Sequence, residues 1–186
     1  MKIKLENVRL AFPALFEAKT VNGEGAPAFS AAFLMSPDHP AIKTLQAAFE
    51  KMGQEKWGAK WPTIKKTIEA KDAFALHNGD SKAEYEGYEG NFFVSARNKT
   101  RPVVLDRDKS PLVESDGKPY AGCYVNASIE LWAQDNNYGK RINASLRGVQ
   151  FLKDGEAFAG GGVASASADE FDDLATDELE NDPAFA

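Results

Sequence analysis

With 186 residues, 43% of them hydrophobic and 27% charged, the chain is long enough for one domain with a sizeable core plus appendages. Its formal net charge of -6 is segregated: ten of the 28 acids lie beyond Lys153, the last basic residue, leaving 18 acids against 22 Lys and Arg and a net of +4 in residues 1–153. A lone cysteine, Cys123, excludes an intrachain disulfide and points to a reducing compartment. MKIKLENVRL lacks the apolar core of a secretory signal, and no apolar run of about 18 residues is present to span a bilayer. The expectation is a soluble, cytoplasmic protein with a mildly basic body and an acidic tail.

Ile3 and Leu5 share one parity, whereas Val8, Leu10 and Phe12 share the other, so the first strand needs a bulge near Glu6 and Asn7 before a turn at Pro13. Asn22, Gly23, Gly25 and Pro27 form a loose hairpin tip, and AFSAAFLM from Ala28 to Met35 reads as the second strand. Ser36, Pro37 and Asp38 announce a helix. Ile42, Leu45, Ala48, Phe49 and Met52 then recur at three- and four-residue steps from Pro40, and Gly53 interrupts the pattern. Glu55 to Ala59 continue as a short turn, and a further helix runs from Thr63 to Ala70. Lys65, Lys66 and Lys71 are a solvated face, and Trp57 and Trp61, four apart, pack on the sheet rather than stack on bases.

HNGDSKAEYEGYEG, from His77 to Gly90, is a polar loop whose Tyr85 and Tyr88 pack over a sheet edge or serve as mobile stacking groups. The strand from Phe92 to Lys99 that follows puts Phe92, Val94 and Ala96 on one face, with Phe93, Ser95, Arg97 and Lys99 on the other. Arg101, Arg107 and Lys109 come soon after. This stretch alone fits a solvated sheet face and a nucleic-acid surface equally well. Pro102 to Leu105 remain extended, and a long connection turns at Asp116 and Gly117.

Ala121 to Ala133 alternates most regularly: Val125, Ala127, Ile129 and Leu131 face inward, Tyr124, Asn126, Ser128, Glu130 and Trp132 outward. A turn through Asp135, Asn136, Asn137 and Gly139 leads to a return strand with Ile142, Ala144 and Leu146 inside and Arg141, Asn143, Ser145 and Arg147 outside. Gly148 marks a bulge, and Leu152 ends the ordered core. Residues 1–153 therefore read as the body, and 154–186 as a flexible Gly/Ala/Ser linker followed by an acidic tail.

Two histidines, His39 and His77, with no HExxH, CxxC, P-loop or GxSxG, supply no catalytic or transition-metal pattern, so neither enzyme activity nor a cofactor is expected. Cys123 reads as a core residue. Asp106, Asp108, Glu114 and Asp116 leave a metal-dependent nuclease as one alternative, and a protein-interaction module using the basic sheet face is another. What recurs is aromatic plus cation on outward strand faces, the chemistry of a single-strand binder that stacks bases and tracks phosphates. Parity nominates Phe93, Arg97, Lys99, Arg101, Arg107, Tyr124, Trp132, Arg141 and Arg147 as DNA-binding residues. About five strands with inserted helices fit a mainly β OB-fold, a five-stranded antiparallel barrel. A tethered polyanion competes for such a groove and offers itself to partner proteins. The tail residues nominated for this are Asp169, Glu170, Phe171, Asp172, Asp173, Asp177, Glu178, Glu180, Asp182 and Phe185.

YEGYEGNFFVSARNKTRPVVLDRD and AGCYVNASIELWAQDNNYGKRINASLRGVQFLKDGEAFAGGG, with VRLAFPALFEA near the start, resemble a family of phage and prophage single-stranded DNA-binding proteins related to the T7-type phage proteins. The resemblance spans nearly the whole body. It implies an OB-fold protein that coats single-stranded DNA in replication, recombination or repair in the cytoplasm of the bacterial host. Its tail would contact phage or host replication and recombination proteins, and the T7-type relation makes a homodimer a candidate assembly.

Overall fold

The apolar pattern that opens the chain continues further than Pro13. In the computed structural model, which describes residues 1–158 apart from Asn22, strand β1 covers Lys2–Val21. The expected bulge is present: pairing with a later strand shifts register between Leu5 and Val8, and Asn7 takes a left-handed φ of 52°. A second shift between Ala11 and Ala14, with Phe12 at φ 46°, lets Pro13 sit inside the strand at a bulge, where no ladder N–H is required. The turn expected at Pro13 is therefore a kink.

Strand β2 (Glu24–Met35) returns antiparallel to β1, and helix α1 (Pro40–Trp57) follows. His39 caps the helix: its Nδ1 accepts from the Ala41 N–H at 3.0 Å, and its Nε2 donates to the Glu6 carbonyl at 2.8 Å, tying the helix start to the β1 bulge. Gly53 does not end α1, which runs on to Trp57; the Trp61 indole occupies the space a Cβ at position 53 would need. Helix α2 (Trp61–Ala70) carries Trp61, Ile64 and Ile68 into the core, and short strand β3 (Leu76–Asn78) appears where a loop was expected.

Strands β4 (Phe92–Asn98), β5 (Val103–Leu105), β6 (Tyr124–Asn136) and β7 (Gly139–Lys153) complete the sheet, whose order is β3-β4-β2-β1-β6-β7-β5. A parallel contact between Arg97 of β4 and Ser145 of β7 closes β4-β2-β1-β6-β7 into a five-stranded barrel, with β3 and β5 as extra strands. This is the OB-fold, its five barrel strands antiparallel except at the β4–β7 junction; the extra strand β5 also pairs parallel with β7. The interior is filled from every barrel strand, by Leu5, Leu10, Phe33, Val94, Ile129, Leu131, Ile142 and Leu146, and the helices add Leu45, Phe49, Trp61 and Ile68 to the same core.

β2 buries both faces. Ala31, Phe33 and Met35 enter the barrel core, while Ala32 and Leu34 join Ala11, Tyr88 and Phe93 in a smaller outer cluster flanked by Tyr85 and Phe158. The chain after β7 reaches that cluster: the Phe158 N–H donates to the Ala121 carbonyl at 3.0 Å, and Arg9 Nη2 donates to the Glu156 carbonyl at 2.7 Å. Packing thus extends past the expected end of the body at Lys153. The nominated tail residues from Asp169 to Phe185 lie outside the described residues. Among the described residues, no helix is long and apolar enough to cross a membrane.

Candidate nucleic-acid interface

In β4 the alternation holds as read, yet its outward aromatic is not free. Phe93 is only 3% exposed. His77 stacks on it at 5.0 Å, Tyr88 meets its edge at 5.0 Å and Lys82 Nζ lies 5.3 Å from its centroid. The expectation that Phe93 offers a wet stacking face is corrected, because the tyrosine loop folds back over it. Burial there, with the neighbouring Tyr85, pushes the Tyr88 phenol up to about 12.

Four residues further along β4, Arg97 is exposed, and its register neighbours, Ser30 of β2 and Ser145 of β7, are small. Ser145 pairs with Glu130, Asn143 with Trp132 and Arg141 with Gln134, so the outward faces of β4, β7 and β6 adjoin. Trp132 is 45% exposed. Beside it, Arg141 Nε donates to Asn143 Oδ1 at 3.3 Å, and Asn143 Nδ2 donates to Gln134 Oε1 at 2.9 Å. Arg147, extruded by a bulge between the Ser128 and Ile129 pairs, bonds Glu130 Oε2 at 3.0 Å with both groups in solvent. Such an exposed pair is weak and yields to a phosphate.

The structure thus groups Arg97, Trp132, Arg141 and Arg147 and disperses the other nominees. Lys99 lies beyond the end of β4, and Arg101 Nη2 donates to the Phe16 carbonyl of β1 at 2.7 Å. Arg107 is exposed in the loop after β5, where Gln150 Nε2 donates to its carbonyl at 3.3 Å. Tyr124 is half-buried, with Arg9 and Lys153 at 5.7 and 4.9 Å from its ring and the chain at Gly155 against its edge. It does not present a free ring.

Several outward residues went unnominated. Lys2 and Lys4 of β1 pair in register with Glu130 and Ser128, adding cations to the Trp132 face; their alternation with Ile3 and Leu5 was the available signal. Tyr138, 91% exposed at the β6–β7 tip, was legible as an aromatic inside a two-residue turn with nothing to pack on. Phe12, 49% exposed and edge-on to Tyr85 at 5.1 Å, shares the sequence parity of Val8 and Leu10, but the second bulge turns it out. The tip itself is fixed by Trp57, whose Nε1 donates to Asp135 Oδ2 at 2.9 Å, while Lys140 Nζ lies 3.2 Å from the other carboxylate oxygen.

Three of the four acids considered for a nuclease are engaged separately. Asp106 accepts from the Arg107 N–H and pairs with Lys118, Asp108 accepts from Ser110, and Asp116 from the Val113 N–H. Among the described residues, no group of three or more His, Cys, Asp or Glu is placed to hold a metal ion. Burial pushes the Cys123 thiol up to about 11, consistent with a core residue.

The family model described as Enterobacter phage Enc34, ssDNA-binding protein, matches residues 1–182. The chain belongs to the Enc34 phage single-stranded DNA-binding protein family. An Enc34-family likeness also appears among solved structures: the single-stranded DNA-binding protein from bacteriophage Enc34 in complex with ssDNA is 30% identical, with a TM-score of 0.71 over 85% of this chain and 89% of that one. Putative protein p50 of Acyrthosiphon pisum secondary endosymbiont phage 1 is 52% identical over 185 residues, 97% of each chain. The gp2.5 single-stranded DNA-binding protein of bacteriophage T7, at 13% identity and a TM-score of 0.55 over 92% of this chain and 97% of that one, shares the fold.

Proposed function

We propose that this protein binds single-stranded DNA with little regard to sequence, laying the strand across the outward faces of β4, β7 and β6. The observation that carries this reading is the exposed Trp132 ring among Arg97, Arg141 and Arg147 on adjoining strands of a closed OB barrel. An indole stacks on any base, and guanidinium groups hold phosphates without reading bases, so the surface has affinity but no sequence code. The protein acts as a non-enzymatic coat in phage replication, recombination or repair in the host cytoplasm. Its acidic tail, from Asp169 to Phe185, competes for the cationic face and is released to replication proteins when DNA binds. A homodimer is part of this reading, on the T7-type relation.

The test is fluorescence anisotropy of labelled oligothymidine across a salt series. Trp132→Ala should weaken binding by roughly 5- to 150-fold, the equivalent of about 1–3 kcal/mol of stacking, with an unchanged salt slope. Arg97→Ala should lower the slope by about one phosphate. A chain ending at Gly162 should bind more tightly than the full chain. Unchanged affinity in both point variants would remove this face as the binding surface, and equal binding by the shortened chain would remove the competing tail.

A further inference from the structure

On the same outward side of β6, four residues from Trp132 and so about 13 Å along the strand, lies a recess of about 360 Å³. It exists because β7 is bulged there and carries no side chain at Gly148, while β5 runs parallel alongside. A Cβ on Gly148 would come within 3.2 Å of the Val103 carbonyl, so any larger residue would fill the recess or push β5 away. Val103, 59% exposed, and Leu105 form an apolar wall. Ser128 offers a hydroxyl with no hydrogen-bond partner among the described residues. Lys4 and Arg147 stand at the rim, each paired among the described residues with an exposed acid, Glu6 at 3.2 Å and Glu130 at 3.0 Å.

We propose that this recess is a second nucleobase subsite on the single-strand path, a step that rests on the function proposed above. An apolar wall beside an unpaired hydroxyl suits a flat ring with hydrogen-bonding edges, and the volume is at the small end for ligand pockets, as a single base requires. Cations on opposite strands at the rim suit the phosphates flanking that base. Glu130 links the two subsites: it neutralises Arg147 in the free protein and gives it up to a phosphate when DNA arrives. The base enters against Val103 while a base further along the DNA, not its immediate neighbour, stacks on Trp132.

The experiment compares full-length wild type, Val103→Glu, Glu130→Gln and Trp132→Ala. It reads oligothymidine affinity by anisotropy over a salt series and maps photo-crosslinks from an iododeoxyuridine-substituted oligomer by mass spectrometry. Val103 is exposed, and a far-ultraviolet circular dichroism melt checks that its substitution leaves the fold intact. Val103→Glu should weaken binding on the order of tenfold. Glu130→Gln should tighten it and steepen the salt slope by freeing Arg147, and wild-type crosslinks should fall on residues 103–105 or 147–150 as well as on Trp132. Wild-type affinity in Val103→Glu together with no crosslink at those segments would overturn the subsite, while a loss in Trp132→Ala would leave the general function standing. Absence of oligothymidine binding by wild type would overturn both.

Discussion

Gly53 occupies a helix interior, where glycine costs about 1 kcal/mol relative to alanine, so propensity alone argues for its replacement. The Trp61 ring decides otherwise, since it fills the place of the missing side chain. Gly53→Ala should therefore destabilise the protein by about 1–3 kcal/mol despite the better helix former, through overpacking. A urea titration reads this directly, and a rise in midpoint would show that the indole moves aside at no cost. The same contact explains why the sequence pattern stopped α1 too early: a glycine reads as a breaker until the residue packed against it is known.

The β6–β7 hairpin carries Trp132 and Tyr138, and α1 holds its tip through Trp57 and Asp135. The indole N–H and then Lys140 hold the Asp135 carboxyl below its ordinary value. A carboxyl lowered in the folded state contributes stability above its unfolded pKa, and that contribution is lost as pH falls through the folded value. Trp57 emission should therefore be constant from neutral pH down to the ordinary aspartate range and shift only below 3.8. Asp135→Ala should produce the shifted emission at neutral pH. A midpoint above the ordinary aspartate value would break the link between this carboxylate and the indole. Both strands of the hairpin were legible because each alternates regularly, β7 in two runs separated by the bulge before Gly148. The link to α1 was not, since Trp57 and Asp135 are 78 positions apart.

The barrel does not end with its last strand. Phe158 lies over Arg9, 4.2 Å from guanidinium carbon to ring centroid, and so close to Gly87 that a Cβ there would approach its ring at 2.6 Å. A chain ending at Lys153 should be less stable than one ending at Phe158 by about 1–3 kcal/mol, the value of burying one aromatic. Thermal melts of the two would show it, and equal midpoints would mean that residues 154–158 rest on the barrel without stabilising it. Phe158 itself packs beside the outer aromatic cluster that includes Tyr85 and Tyr88.

Periodicity alone determined the strand faces, the bulges at Asn7 and Gly148, the amphipathic α1 and the separation of a basic body from acidic residues near the end, because each is set by residues close in the chain. The count of strands with inserted helices pointed to an OB barrel, and family likeness agreed with it. Only the tertiary structure decided which outward side chains stay outward. Phe93 and Tyr124 obey strand parity and are nevertheless covered, by the tyrosine loop and by the segment before Phe158, whereas Phe12 breaks parity and is exposed. Parity assigns a side chain to a face, but burial depends on whatever distant segment packs over that face. The sum of contacts that places such a segment is not written in any local stretch.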